Sequence, residues 1–271
     1  MFSSVLVALK PSATELYVID YALAIAQQLN AELASCTVID VGRIAPPEAI
    51  PIGGGAFKMQ WDEKLISDAR EVAQRVAATC QSEATKIGVP CLTDVLDGRV
   101  AATIAQEVQV HDLLVLGHSA GDPTGDETLL FKILKRVPRP AIVFPKRRVV
   151  GANVLVAFDG SVQAARTLAS FAHSGLSRGR TVHVVSCHSD REQAVRQSEL
   201  AGRFLSRHGL GCELHAETGS PEQVILALAE RISAGLLVMG AFGQATVREF
   251  FFGSTTRSIL HELPLPVFLD H

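Results

Sequence analysis

No stretch of the 271-residue chain is apolar for long enough to cross a membrane. No Lys/Arg-rich run occurs and the formal net charge is −3, so the electrostatic footprint of a nucleic-acid binder is missing. The five cysteines (Cys36, Cys80, Cys91, Cys187, Cys212) are odd in number and contain no CxxC spacing. That argues against a disulfide framework and for reduced thiols, the state expected in a cytoplasm. The opening residues MFSSVLVALK have no basic segment and reach a lysine too soon for a secretory signal, which again fits a cytoplasmic chain. Neither a GxxxxGK[ST] loop nor a GxGxxG fingerprint is present. Aromatic residues make up 6% of the chain. Trp61 and the run Phe250–Phe252 read as packing or partner contacts rather than as platforms for stacked bases.

What is present is an ordinary globular composition, 48% hydrophobic and 20% charged, enough for one large domain or two small ones. The chain also repeats itself. SVLVALKPS from Ser4 matches NVLVAFDGS from Asn153, and each is followed by a helical pattern and a second short strand, ELASCTVIDV or TVHVVSCHS. The helix-to-strand segments ending in LLVLGHS and LLVMGAF correspond, as do VPRPAIVFP and LPLPVFLDH. Such regular self-similarity means two copies of one unit, joined near PKRRVVGAN. The domains expected are residues 1–147 and 152–271. Pairing Lys10 with Asp159 and Pro140 with Pro266 leaves the first copy a net 23 residues longer. Most of that excess falls in the Pro/Gly-rich stretch over residues 42–64. We read it as a long loop, either a lid or contact element or a passive insertion.

Within each unit, strands are continuous Val/Ile/Leu runs alternating with helices. This is the pattern of a parallel sheet covered on both faces, wound doubly by right-handed crossovers. Ligands in such sheets bind beyond the carboxyl ends of the strands. In the second copy those ends carry Asp159, the run His183-Val184-Val185, Gly219-Ser220, and the loop GAFGQATVREFFFGSTT from Gly240. Gly240 and Gly243 would let backbone N–H groups approach a phosphate without a Cβ in the way. Gly253, Ser254 and Thr255 would open the next helix, whose free N–H groups and positive end suit an anion. Asp159 would lie at the other end of the cleft, accepting from a ribose hydroxyl or base amine. The plainer role for Asp159-Gly160-Ser161 is a turn capping the following helix.

The ungapped G-x2-G-x9-G-[ST] pattern at Gly240, Gly243, Gly253 and Ser254 resembles the nucleotide loop of the universal stress protein family. With VLVAFDGS, VHVVS, TGSPEQVI and LPLPVFL, the resemblance extends over both halves and is to the tandem type. It implies two α/β domains, each a five-stranded parallel sheet with flanking helices, of the adenine nucleotide alpha hydrolase-like kind. It implies an adenine nucleotide as ligand, ATP or else ADP or AMP, with Mg2+ as an accompanying ion. Asp159 and Val184 would contact the adenine end, Met239 would pack nearby, and Gly219 would lie near the ribose. Gly240, Gly243, Gly253, Ser254 and Thr255 would hold the phosphates. Family members dimerise through their last strand, so the two halves would form an internal pseudo-dimer, with a homodimer also open. The function implied is a nucleotide-dependent stress-response regulator with an unidentified protein partner. The alternatives are a slow ATP hydrolase and a scaffold that uses no nucleotide.

The first copy departs from that pattern. Lys10 and Pro11 replace Asp159 and Gly160, the loop from Gly117 to Pro138 is shorter (21 against 24), and Glu127 falls where Gly253 would be. A degenerate nucleotide site is therefore expected, with Lys10 either solvated or holding some other anion. No metal site is expected, because His111, His118 and the pair Cys187-His188 lack ligand spacing. Ser254 has no adjacent base, since His261 is two helical turns away, and no catalytic residue is assigned.

Overall fold

A computed structural model describes residues 1–11, 16–49, 54–118, 127–145, 149, 151–241, 254–262 and 265–270. The chain packs as two compact units, Ser3–Arg139 and Met1–Phe2 with Pro140–His271.

The first unit runs β1 (Ser4–Leu9), α1 (Leu16–Leu29), β2 (Glu32–Ile39), α2 (Val41–Ile44), α3 (Gly55–Lys86), β3 (Cys91–Asp97), α4 (Val100–Glu107), β4 (Leu113–Gly117) and α5 (Glu127–Leu134). Its strands lie in the order β3-β2-β1-β4, all parallel where paired. β1 is buried along its whole length, because SVLVAL is covered on both faces. β3 (CLTDVLD) is the edge strand, and its exposure alternates along the chain.

The second unit begins with β5 (Ala141–Phe144) and continues β6 (Asn153–Ala157), α6 (Val162–Ser174), β7 (Val182–Cys187), α7 (Arg191–Arg207), β8 (Cys212–Glu217), α8 (Pro221–Arg231), β9 (Ala234–Gly240), α9 (Ser254–Glu262) and β10 (Val267–Asp270). The order is β5-β10-β9-β6-β7-β8. β10, β9, β6, β7 and β8 are parallel, and β5 adds antiparallel to β10 with Val143 opposite Val267. Phe171 of α6 meets Phe268 of β10 edge to face, centroids 6.2 Å apart, in the core beneath the sheet. The α/β class and mostly parallel sheets agree with the sequence reading. Among the described residues, no helix is long and apolar enough to cross a membrane.

The long loop expected over residues 42–64 is corrected. Val41–Ile44 is a short helix capped by Asp40, whose Oδ1 accepts from Arg43 N (3.2 Å). From Gly55 onward the chain is already in α3, a helix of 32 residues against 17 in its counterpart α7. Pro46, Pro47 and Gly53–Gly55 punctuate the sequence as a loop would, but no breaker follows Gly55. A Lys58–Asp62 ion pair one turn apart (2.9 Å) supports the first turns. Much of the extra length of the first copy is therefore helix.

Candidate functional site

β6 and β9 are neighbours whose chains leave the sheet toward different sides, which makes their carboxyl ends the topological switch point of the second unit. Ala157 pairs with Met239. Asp159 therefore follows β6 beside the point where Gly240 ends β9.

The turn after β6 is built from its own side chains. Asp159 Oδ1 accepts from Ser161 N (2.9 Å), and Ser161 Oγ caps α6 by accepting from Ala164 N (3.1 Å). Gly160 between them has φ +75°, a conformation that favours glycine. Gln197 of α7 packs over Gly160 and donates from Nε2 to the Asp159 carbonyl (3.0 Å). Its Oε1 is buried and has no hydrogen-bond partner among the described residues. The capping role of this turn is thus present, and one oxygen of Asp159 is engaged in it.

Gly240 is constrained from another direction. A Cβ placed there would lie 3.0 Å from Ala164 N and 3.2 Å from the Gln163 carbonyl carbon. The first turn of α6 packs directly on the end of β9, and only a residue without a side chain leaves it room. Past Gly240, Ala241 N donates to Asp270 O (3.1 Å), continuing the β9–β10 pairing. Thr256, almost fully buried, donates from Oγ1 to the Gly240 carbonyl (3.2 Å). This ties the first turn of α9 to the strand end. Ser258 of α9 donates to Glu222 in the first turn of α8. The first turns of two helices, α6 and α9, therefore converge on Gly240, each bringing the positive partial charge of a helix N-terminus.

Ser254 is the first residue of α9 and Thr255 is half-buried beside it. Gly219 lies in the exposed turn after β8 at φ +126°, before Ser220 and Pro221 open α8. Met239 is buried in β9 between Ala157 and Leu269. Gly243 and Gly253 lie outside the described residues, as do Phe250–Phe252. Thr256 was not singled out from sequence. Its signal is the third hydroxyl of Ser254-Thr255-Thr256, whose role depends on which way the first helical turn faces.

Val184 is a correction. It lies mid-strand, fully buried, paired with Val156 and Leu214, three residues short of the end of β7. The register puts Val185 level with Ala157, so Cys187 and His188, not Val184, stand beside Asp159 at the strand ends. The Cys187 thiol is pushed up to about 11 by burial and by Glu217, so it stays protonated at neutral pH. His188 Nδ1 accepts from Asp190 N (2.9 Å), which fixes its ring at the start of α7.

In the first unit the corresponding strand ends are those of β1 and β4, with Ala8 opposite Leu116. Lys10 follows β1, and His118, buried, follows β4, its carbonyl accepting from Tyr17 Oη (3.2 Å). Glu127 is the first residue of α5, so its counterpart by element is Ser254 rather than Gly253. Pro11 cannot take the left-handed conformation of Gly160, and Lys10 cannot make the Asp159 turn.

Comparison with known proteins follows the same division. The chain is 30% identical over 138 residues to Universal stress protein Slr1230 of Synechocystis sp., covering 50% of this chain and 48% of that protein. It is 39% identical over 73 residues to Universal stress protein E of Escherichia coli, covering 26% of this chain and 23% of the relative. The matches thus span about half and about a quarter of those proteins' lengths. Among solved structures, a universal stress protein from Archaeoglobus fulgidus superimposes with a TM-score of 0.73 at 21% identity, over 98% of this chain and 97% of that one, which establishes the shared fold. The model of the Universal stress protein family (Usp) matches residues 1–137 and again residues 152–271. Two matches that together cover nearly the whole chain establish that it belongs to the universal stress protein family, with the family unit present twice.

Proposed function

We propose that the second repeat is an adenine-nucleotide-binding module that regulates a protein partner, and that the first repeat does not bind nucleotide in the same way. The observation that carries this reading is the convergence on Gly240. Asp159 follows the neighbouring strand, and the N-termini of α6 and α9 meet at the strand end, α9 held there by Thr256. An acceptor beside two positive helix ends, at neighbouring strand ends, matches a molecule with a donor-bearing base or ribose and an anionic tail. ATP, ADP or AMP has that polarity, with Mg2+ accompanying a polyphosphate. Asp159 and the turn at Gly219 would hold the nucleoside end. The backbone at Gly240, Gly243 and Gly253, with Ser254 and Thr255, would hold the phosphates. Gln197 Oε1, buried behind the Asp159 turn and without a hydrogen-bond partner among the described residues, is a further polar group on that side.

The nucleotide would supply charge and hydrogen-bonding groups at the end of β9. The sequence offers no general base adjacent to Ser254, which favours binding over rapid hydrolysis. The pairing of β5 with β10, the strands that end the two sequence repeats, fits an internal pseudo-dimer.

The test is to purify the protein without added nucleotide, denature it and identify what is released, then titrate the stripped protein with ATP. About one adenine nucleotide per chain is expected, and Gly243→Val should lose it, because a branched side chain would block the backbone's approach to phosphate. Two nucleotides per chain would overturn the assignment of the first repeat. Retention by Gly243→Val would overturn the phosphate loop. Sustained turnover of ATP would move the reading to the hydrolase. Neither release nor binding would leave the scaffold.

A further inference from the structure

We infer that His183, Glu213 and His215 form a binding site for one divalent transition-metal ion of the zinc class, on the outer strands of the second unit. No spacing in the sequence announces it, because its ligands come from two strands that only the fold brings together. The β7–β8 register sets His183 opposite Glu213 and Val185 opposite His215. Glu213 and His215 are two apart on β8 and share one face. That face is opposite to α7. A Cβ on Gly202 of α7 would lie 3.0 Å from Leu214 and 3.6 Å from Cys212, so the intervening residues are the ones turned to the helix.

The ligand atoms are already grouped. His183 Nδ1 is 3.2 Å from His215 Nε2 and 3.4 Å from Glu213 Oε2, and the three atoms lie within 4.8 Å of one another. Bonds of roughly 2 Å in a tetrahedral zinc site put neighbouring ligand atoms about 3.3 Å apart. Two of the separations thus match that edge length. Two imidazoles and one carboxylate are donors that suit Zn2+, Co2+ or Ni2+ better than Mg2+ or Ca2+. His183 is almost fully buried, while the Glu213 side chain is 65% exposed, so an ion has an anchored ligand and an approach from solvent. The competing arrangement is an N–H···N hydrogen bond between the two rings with Glu213 as a surface ion pair, and that arrangement predicts no metal uptake.

The site is distinct from the proposed nucleotide crevice. His183 is four residues before the end of β7, about 13 Å along a strand from the carboxyl ends where the nucleotide would bind. β8 is an edge strand of its unit. An ion bridging β7 and β8 would clamp that edge and leave its fourth position to water.

Titration of the purified, metal-free protein with Co2+ tests this. One equivalent is expected, with the visible band of a tetrahedral ion and no near-ultraviolet thiolate band, and Zn2+ should displace it. His215→Ala and Glu213→Gln, checked for native circular dichroism, should weaken Co2+ binding by more than about 100-fold, beyond the loss typical of an outer-sphere change. Zn2+ should raise the unfolding temperature of the wild type and not of His215→Ala. The inference is overturned by a thiolate band, by variants that bind as tightly as wild type, or by the absence of saturable binding at micromolar metal.

Discussion

Gly240 has two duties that the sequence presented as one. Its place in the glycine pattern implied room for a phosphate. The structure adds that its missing Cβ makes room for the first turn of α6, whose backbone lies 3.0 Å from where that atom would be. Gly240→Ala should therefore destabilise the second unit even without ligand, by about 1–3 kcal/mol, the usual cost of forcing a methyl into a filled space. Urea unfolding of nucleotide-free protein is the measurement, and an unchanged midpoint would show that α6 shifts without cost. The same residue scale explains why Val184 was misplaced. A run of apolar residues does not say which of them reaches the end of its strand. Only the pairing of Val185 with Ala157 does.

Among the elements, α3 departs furthest from the sequence reading. Its buried residues, Ala73, Val76, Ala77, Cys80 and Ala84, all fall in the second half and repeat at helical spacing. The first half carries none, and Phe57, Met59 and Trp61 are exposed there, with Phe57 and Trp61 stacked one turn apart. Helical propensity, the Lys58–Asp62 pair and continuity with a packed helix are enough to hold such a segment. Trp61→Ala should accordingly change the unfolding free energy by no more than about 0.5 kcal/mol, as for other exposed sites. Chemical denaturation checks this, and a larger loss would mean that Trp61 is covered in solution.

For the molecule as a whole, stability should fall from neutral toward acid pH, and the first unit supplies two reasons. His111 bonds Ser4 Oγ through Nδ1 (2.6 Å), and burial holds its pKa below the ordinary 6.5 despite Glu32, Glu107 and Asp112. The unfolded chain then takes up the proton first, so this contribution is complete above 6.5 and is lost as pH drops below it. Burial alone would raise Asp112, but hydrogen bonds from Ser3 N, Ser3 Oγ and Ser4 N, with Arg139 nearby, bring it below 3.8. Its contribution is present above that value and is lost as pH falls through the lower folded one. Urea midpoints across the acid range should decline in two stages, and His111→Gln should remove the earlier one. A flat profile near pH 6 would exclude His111 as a source.

The sequence by itself determined the α/β class, the repeat and the family, because these rest on apolar periodicity and on glycine spacing, which are local and survive without any knowledge of packing. It also located the turn at Asp159-Gly160-Ser161, since a cap and a positive-φ glycine are properties of consecutive residues. The tertiary structure decided what depends on neighbours distant in the chain. It fixed the strand register that buries Val184, the close approach of α6 to Gly240, and the tie from Thr256. It also grouped His183 with Glu213 and His215, residues some thirty positions apart that meet because parallel strands are joined by a crossover helix rather than a turn.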